Sequence, residues 1–222
     1  MTDAANFLGV AGSTAHRLLA MLEYHGFVVQ DPVSRLYGAG PALIELGLSV
    51  AGSLNTYARP IMTELSRTVG ETANLSVLRG QETLFLDCVE SDRVLRIGSR
   101  TGVALPAHCT SGGKAMLARL TPEEIRRLYP SERLRQLTAA SIRSRSKLEA
   151  ELEATRQRGY GTNFGESEAD LSAVGVAIVD QQGRVRGAVA IAAPMNRLRE
   201  DDAPSVAPHV IRAAGEIGRL LA

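Results

Sequence analysis

The chain has 222 residues, 45% hydrophobic and 22% charged, enough for one or two domains with a real core and too apolar for a disordered protein. Its 25 Lys and Arg against 24 Asp and Glu give a formal net charge of +1, so bulk electrostatics announce neither a nucleic-acid nor a membrane partner, and any such case rests on local residues. Cys88 and Cys109 are too few for a disulfide framework, no signal peptide is recognisable, and no apolar run reaches the roughly 18 residues of a membrane span, so a cytoplasmic protein with no membrane partner is expected.

Residues 3–8 are compatible with a helix, and residues 9–12 interrupt it with glycines suited to a tight turn. STAHRLLAML, residues 13–22, then places Leu18, Leu19 and Leu22 at helical spacing, where they are expected to face a core. Next, FVVQDPVSRLY carries two short β-prone stretches around Asp31-Pro32, a small hairpin. Helix, turn, helix and hairpin make a winged helix-turn-helix over residues 1–40. Apolar residues at 43, 44, 46, 48 and 50 predict a linker helix over 41–56 that packs against a partner. A separate helix from Tyr57 to Val69, stopped at Gly70, is expected to open a second domain over 57–222.

In that second part, TANLSVLR and TLFLDCV flank the turn Gly80-Gln81-Glu82, and VLRIGS is a third candidate strand. A helix over 114–120 follows Ser111-Gly112-Gly113. Thr121 with Glu124 forms a capping box with Pro122 at the first helical position, and Ser146 with Glu149 repeats the box before a helix ending at Gly159. AVGVAIVD and VRGAVAIAAP surround Gln181-Gln182-Gly183 as a hairpin of small residues, fit for close approach by a helix or ligand. A helix over 206–221 closes the chain. The fold class is α+β: an antiparallel sheet with flanking helices behind a small helical unit.

A DNA-reading helix needs short polar side chains in its first turns, where they meet phosphates and base edges. Ser13, Thr14, His16 and Arg17 satisfy this, although the same run also reads as an N-cap followed by a surface arginine. Over residues 1–40 only Arg17 and Arg35 stand against Asp3, Glu23 and Asp31. One copy therefore binds double-stranded DNA weakly, and a homodimer or homotetramer presenting paired helices is expected.

Taken with its wing, GSTAHRLLAMLEYHGFV followed by DPVSRLYGAG resembles the recognition helix and wing of the IclR family of bacterial transcriptional regulators. The resemblance implies that Ser13, Thr14 and Arg17 face DNA, that His16 is a variable base or phosphate contact, and that Arg35 and Tyr37 lie in the wing. Family members carry a further helix ahead of the one starting near Thr2, so the winged unit is expected to be incomplete at its start. Two readings follow: a regulator whose reading frame begins upstream, or a sensing and oligomerisation module without DNA binding.

RIGSRTGVALPAHCTSGGKAMLARL, QRGYGTNFGESEADLSAVGVAIVD and GRVRGAVAIAAPMNRL resemble the family's GAF-like effector domain. On the residues alone, Ser111, Gly112 and Gly113 offer backbone N–H groups to an anion or else simply allow close packing. The resemblance implies that these residues, together with Asn163, Ala173, Ala190 and Ala192, line the site of a small-molecule effector. Asn163 stands where members that bind small oxo-acids carry an acidic residue, Ala173 where they carry a cysteine, and Ala190 and Ala192 where they carry hydroxyls. Losing these donors is expected to leave more room and a more apolar wall, suited to an aromatic or medium-chain organic acid.

Catalytic constellations are not evident. TSGGKA fails the phosphate-loop pattern, because His108 and Ala115 stand where a glycine and a hydroxyl residue are required. The histidines and cysteines lack metal-ligand spacing. Adjacent His108 and Cys109 point apart, so Cys109 reads as a packed thiol. Glu166, Glu168 and Asp170 read as a solvated acidic loop. Neither enzyme, metal nor cofactor is expected.

Overall fold

The computed structural model describes the backbone of residues 2–221 and the side chains of residues 4–43 and 54–221. The chain divides into two compact units, residues 1–53 and 54–222.

In the first unit, α1 (Thr2–Leu8) and α2 (Gly12–Tyr24) are joined at Gly9, whose φ of +63° is a left-handed conformation that side chains resist. The N–H groups of Gly9 and Val10 donate back to the carbonyls of Asn6 and Ala5, ending α1 there. Strands β1 (Val28–Gln30) and β2 (Tyr37–Ala39) form the wing, pairing Val28 with Ala39 and Gln30 with Tyr37. At its tip Asp31 Oδ1 accepts the N–H groups of Val33 and Ser34 and the Ser34 hydroxyl, a turn that aspartate builds from its own side chain.

Two expectations for this unit fail. Ser13 is not an N-cap: α2 starts at Gly12 with Ala11 in the cap position and no side-chain cap bond. The leucines are not core either, since Leu18 and Leu22 are 46% and 42% exposed, Leu19 is half-buried, and Ala15 is the buried residue of α2. A seven-residue α1 cannot cover the apolar stripe of α2, and its own Phe7 and Leu8 are exposed.

One helix, α3 (Pro41–Val69), replaces the two expected, with no break at Tyr57. Leu54, Ala58, Met62 and Leu65 are buried at spacings of four, four and three, so the apolar stripe begins ahead of Tyr57 and continues past it. The side chains of Ile44, Leu46, Leu48 and Val50, on which the expected partner packing rested, lie outside the described residues.

The second unit is built on a six-stranded antiparallel sheet. Its strands are β3 (Thr72–Arg79), β4 (Glu82–Val89), β5 (Ala104–Pro106), β6 (Gly161–Phe164), β7 (Leu171–Val179) and β8 (Val185–Pro194), in the order β5-β4-β3-β8-β7-β6. Strand alternation assigns the faces. Ala73 and Leu75 of β3, Val174, Val176 and Ile178 of β7, and Val189 and Ile191 of β8 pack into one core with α3 from Leu54 onward and α7 (Ala203–Leu220). Each large apolar side chain buried there stabilises the unit by about 1.5–3 kcal/mol. On the opposite face lie α4 (Ser111–Leu117), α5 (Pro122–Leu128) and α6 (Arg145–Arg158).

The segment VLRIGS is not a strand. Glu90 accepts hydrogen bonds from Arg96 Nε at 2.6 Å and Ser99 N at 3.0 Å, folding the segment back on itself, and β5 takes the place beside β4. The box at Thr121 and Glu124 forms, but that at Ser146 and Glu149 does not. Ser144 caps α6 instead, leaving Ser146 to donate its N–H and hydroxyl to Glu132.

Candidate functional site

The antiparallel register gathers residues far apart in sequence. Asn163 pairs with Ala173, Ala173 with Ala192, and Ala192 with Thr72; one row further on, Gly175 pairs with Ala190 and Ala190 with Asn74. These rows present small side chains toward α4. A Cβ at Gly175 would lie 2.6 Å from the Gly112 nitrogen, and one at Gly161 would lie 2.2 Å from the Ser111 carbonyl oxygen, so the two glycines let α4 rest directly on the sheet. Ser111 and Gly112 belong to the first turn of α4, which starts three residues earlier than the sequence suggests because Thr110 caps it through its hydroxyl.

Between α4 and the sheet lies a narrow cavity of about 30 Å³, room for an ordered water or two. Ser111, Gly112, Asn163, Ala173, Ala190 and Ala192 all line it. Gly113 does not: a Cβ there would stand 2.2 Å from the Ala107 carbonyl oxygen and 2.5 Å from Thr83 Oγ1, which makes Gly113 a close-packing position. Phe85, Leu105 and Leu171 line the same cavity as the three alanines and make that part of its wall apolar. Asn163 is bonded to its own loop, its Nδ2 donating to Ser167 Oγ and its Oδ1 accepting the Glu166 N–H, both at 2.8 Å.

Sequence reasoning missed Asn74, Ser76 and Arg100 in the lining. A signal for the first two exists: Thr72, Asn74 and Ser76 alternate with Ala73, Leu75 and Val77, and a central strand with one polar face needs something polar to meet it. Asn74 Oδ1 is buried without a hydrogen-bond partner, an open acceptor beside the cavity. Arg100 lies in the irregular chain before β5, where no periodicity marks it.

Of the acidic loop expected to be solvated, Glu168 and Asp170 are exposed but Glu166 is not. Glu166 is buried and accepts from Lys114 Nζ at 2.5 Å, while the same ammonium lies 3.4 Å from Glu151. Burial holds the Glu166 carboxyl above the usual carboxylate range against the pull of Lys114. Burial acts on Glu151 too, but Lys114 and Arg158 outweigh it and hold that carboxyl low. This ion-paired cluster ties α4 to the loop beyond Asn163. Cys109 is buried, and burial pushes its thiol up to about 11.

On the first unit, Ser13, Thr14, His16 and Arg17 are exposed on α2, around the buried Ala15. Arg35 is exposed at the wing tip with φ +59°, its carbonyl oxygen accepting from Gln30 Nε2, and Tyr37 is half-buried on β2. Among the described residues no helix is long and apolar enough to cross a membrane, and no three His, Cys, Asp or Glu side chains gather as metal ligands.

Comparisons with known proteins match residues 50–219 to the C-terminal domain of bacterial IclR transcriptional regulators and residues 1–32 to the IclR helix-turn-helix domain. The chain is 33% identical over 205 residues to the HTH-type transcriptional regulator XynR of Escherichia coli, covering 91% of this chain and 81% of that protein. It is 31% identical over 221 residues to the transcriptional repressor IclR of the same organism, covering 98% and 81%. Among solved structures it resembles an IclR homologue from Microbacterium hydrocarbonoxydans in complex with 4-hydroxybenzoate, with a TM-score of 0.71 at 25% identity, covering 99% of this chain and 90% of that one.

Proposed function

The chain belongs to the IclR family of transcriptional regulators, and on that premise we propose that α2 and the wing read its operator while the cavity under α4 takes the effector. The observation carrying the second half is convergence: Ser111 and Gly112 on α4, Asn163 on β6, Ala173 on β7, and Ala190 and Ala192 on β8 wall one cavity. The effector is an organic acid. An aromatic one suits the apolar wall of Phe85, Leu105 and Leu171, and the unpartnered Asn74 Oδ1 suits a ligand hydroxyl; a relative is solved with 4-hydroxybenzoate bound. Because the cavity holds only about 30 Å³, such an acid enters only as the wall opens, which supplies a conformational difference for DNA affinity to read.

Ser13, Thr14, His16 and Arg17 approach the major groove and Arg35 and Tyr37 the flanking backbone. The working assembly is a cytoplasmic homodimer or homotetramer, in which paired reading helices stand about 34 Å apart. Fluorescence anisotropy with duplex DNA from upstream of the gene, at low and moderate salt and with or without 4-hydroxybenzoate, tests this. Saturable, salt-weakened binding that the acid shifts is expected. Binding that is indifferent to salt and acid alike would remove both the reading face and the effector assignment.

A further inference from the structure

Arg100 carries the only charge among the described residues that line the cavity. Its side chain is 15% exposed, and its guanidinium donates through Nε at 3.2 Å and Nη2 at 2.5 Å to a single oxygen, Oε1 of Glu168, which stands 54% exposed on the loop between β6 and β7. The pair is lopsided. The cation is largely desolvated at the cavity wall, whereas its carboxylate stands half in water, where ion pairs are weak and readily exchanged. A planar fork of two N–H groups matches the two oxygens of one carboxylate, yet here both bonds end on one oxygen.

We propose that Arg100 is the anion anchor of the effector site and that Glu168 is its internal competitor. An entering carboxylate takes both N–H groups from within the cavity and releases Glu168 to solvent, freeing the outer end of the loop between β6 and β7 while Glu166 stays paired with Lys114. Effector specificity for acids over neutral molecules then resides in Arg100, and Glu168 sets the concentration at which they bind. This inference rests on the reading of the cavity as the effector site.

Titration calorimetry on the full chain tests it, using benzoate, phenylacetate and hexanoate with their neutral amides as probes. R100Q should weaken binding of the responsive acid about tenfold or more, the worth of a charge-assisted bond pair, while leaving its amide unchanged. E168Q should tighten the same acid severalfold and also spare the amide. R100K, which keeps the charge without the fork, should fall between wild type and R100Q, and matching melting temperatures exclude misfolding as the cause. An acid-to-amide preference equal in wild type, R100Q and E168Q overturns the assignment. A190F, which fills the cavity, separates the two readings: if it abolishes acid binding while Arg100 and Glu168 prove inert, the cavity stands and the anchor falls. If it leaves binding intact, both fall, as they do if no acid binds wild type or E168Q.

Discussion

Lys114→Met keeps the aliphatic stem of a side chain that is 2% exposed and deletes the ammonium shared by Glu166 and Glu151. Glu151 retains Arg158 at 2.5 Å, but Glu166, whose side chain is 11% exposed, is left as a buried carboxylate with no cation in contact, only the more distant Arg158. Removing one partner of a buried ion pair costs about 3–5 kcal/mol. At about 2–4 °C per kcal/mol for a domain of this size, melting should fall by roughly 6–20 °C. The loss should depend on pH. Burial already raises the Glu166 pKa above its ordinary 4.5, and losing Lys114 raises it further. A carboxyl with a raised folded pKa contributes stability that is fully present below the unfolded value and is lost as pH rises through the folded one. The gap between variant and wild type should therefore widen from pH 5 to pH 8 in melts followed by circular dichroism. K114M/E166Q should recover most of the loss, since it replaces the stranded charge with a neutral amide. A cost below about 1 kcal/mol at every pH, or a double variant as unstable as K114M, would refute the argument.

Arg17→Ala should weaken operator binding and lower the slope of log affinity against log salt by about one unit per reading head; an unchanged slope in anisotropy titrations removes Arg17 from the phosphate contacts. Gly175→Val puts a side chain where even a Cβ would come within 2.6 Å of the Gly112 nitrogen, so urea unfolding should show a loss of about 1–3 kcal/mol or more. An unshifted midpoint would mean that α4 does not rest on β7. Cys109, held near 11 by burial, should resist iodoacetamide at pH 8 until the second unit unfolds, because the thiolate is the reactive form; mass spectrometry showing modification at native stability would contradict that packing.

Much of this protein was legible from local patterns. Turn residues at 181–183, the Thr121 box and the helix end at Gly159 are decided within a few residues by backbone sterics and by hydrogen bonds to near neighbours, and the structure has them as read; the turn at 80–81 is tighter than read, Glu82 already opening β4. The same locality misled at Ser146, where a good capping sequence lost to Ser144 because Glu132 bonds the Ser146 N–H from elsewhere, and at 94–99, where Glu90 draws a β-prone run into a loop.

What the sequence by itself determined is the kind of molecule: a helix-turn-helix with a wing, then an antiparallel sheet with flanking helices and one hairpin of small residues. Only the tertiary structure decided what those small residues do. Strand register sets Asn163, Ala173, Ala190 and Ala192 around one space, Gly113 is claimed by packing against Ala107 and Thr83, and Arg100 reaches the wall from an irregular segment. Contacts made across long stretches of chain leave no periodic trace in the sequence, so six of the cavity residues could be named there through the family resemblance, but not Asn74, Ser76 or Arg100, nor the volume, the charge or the ion pair at its wall.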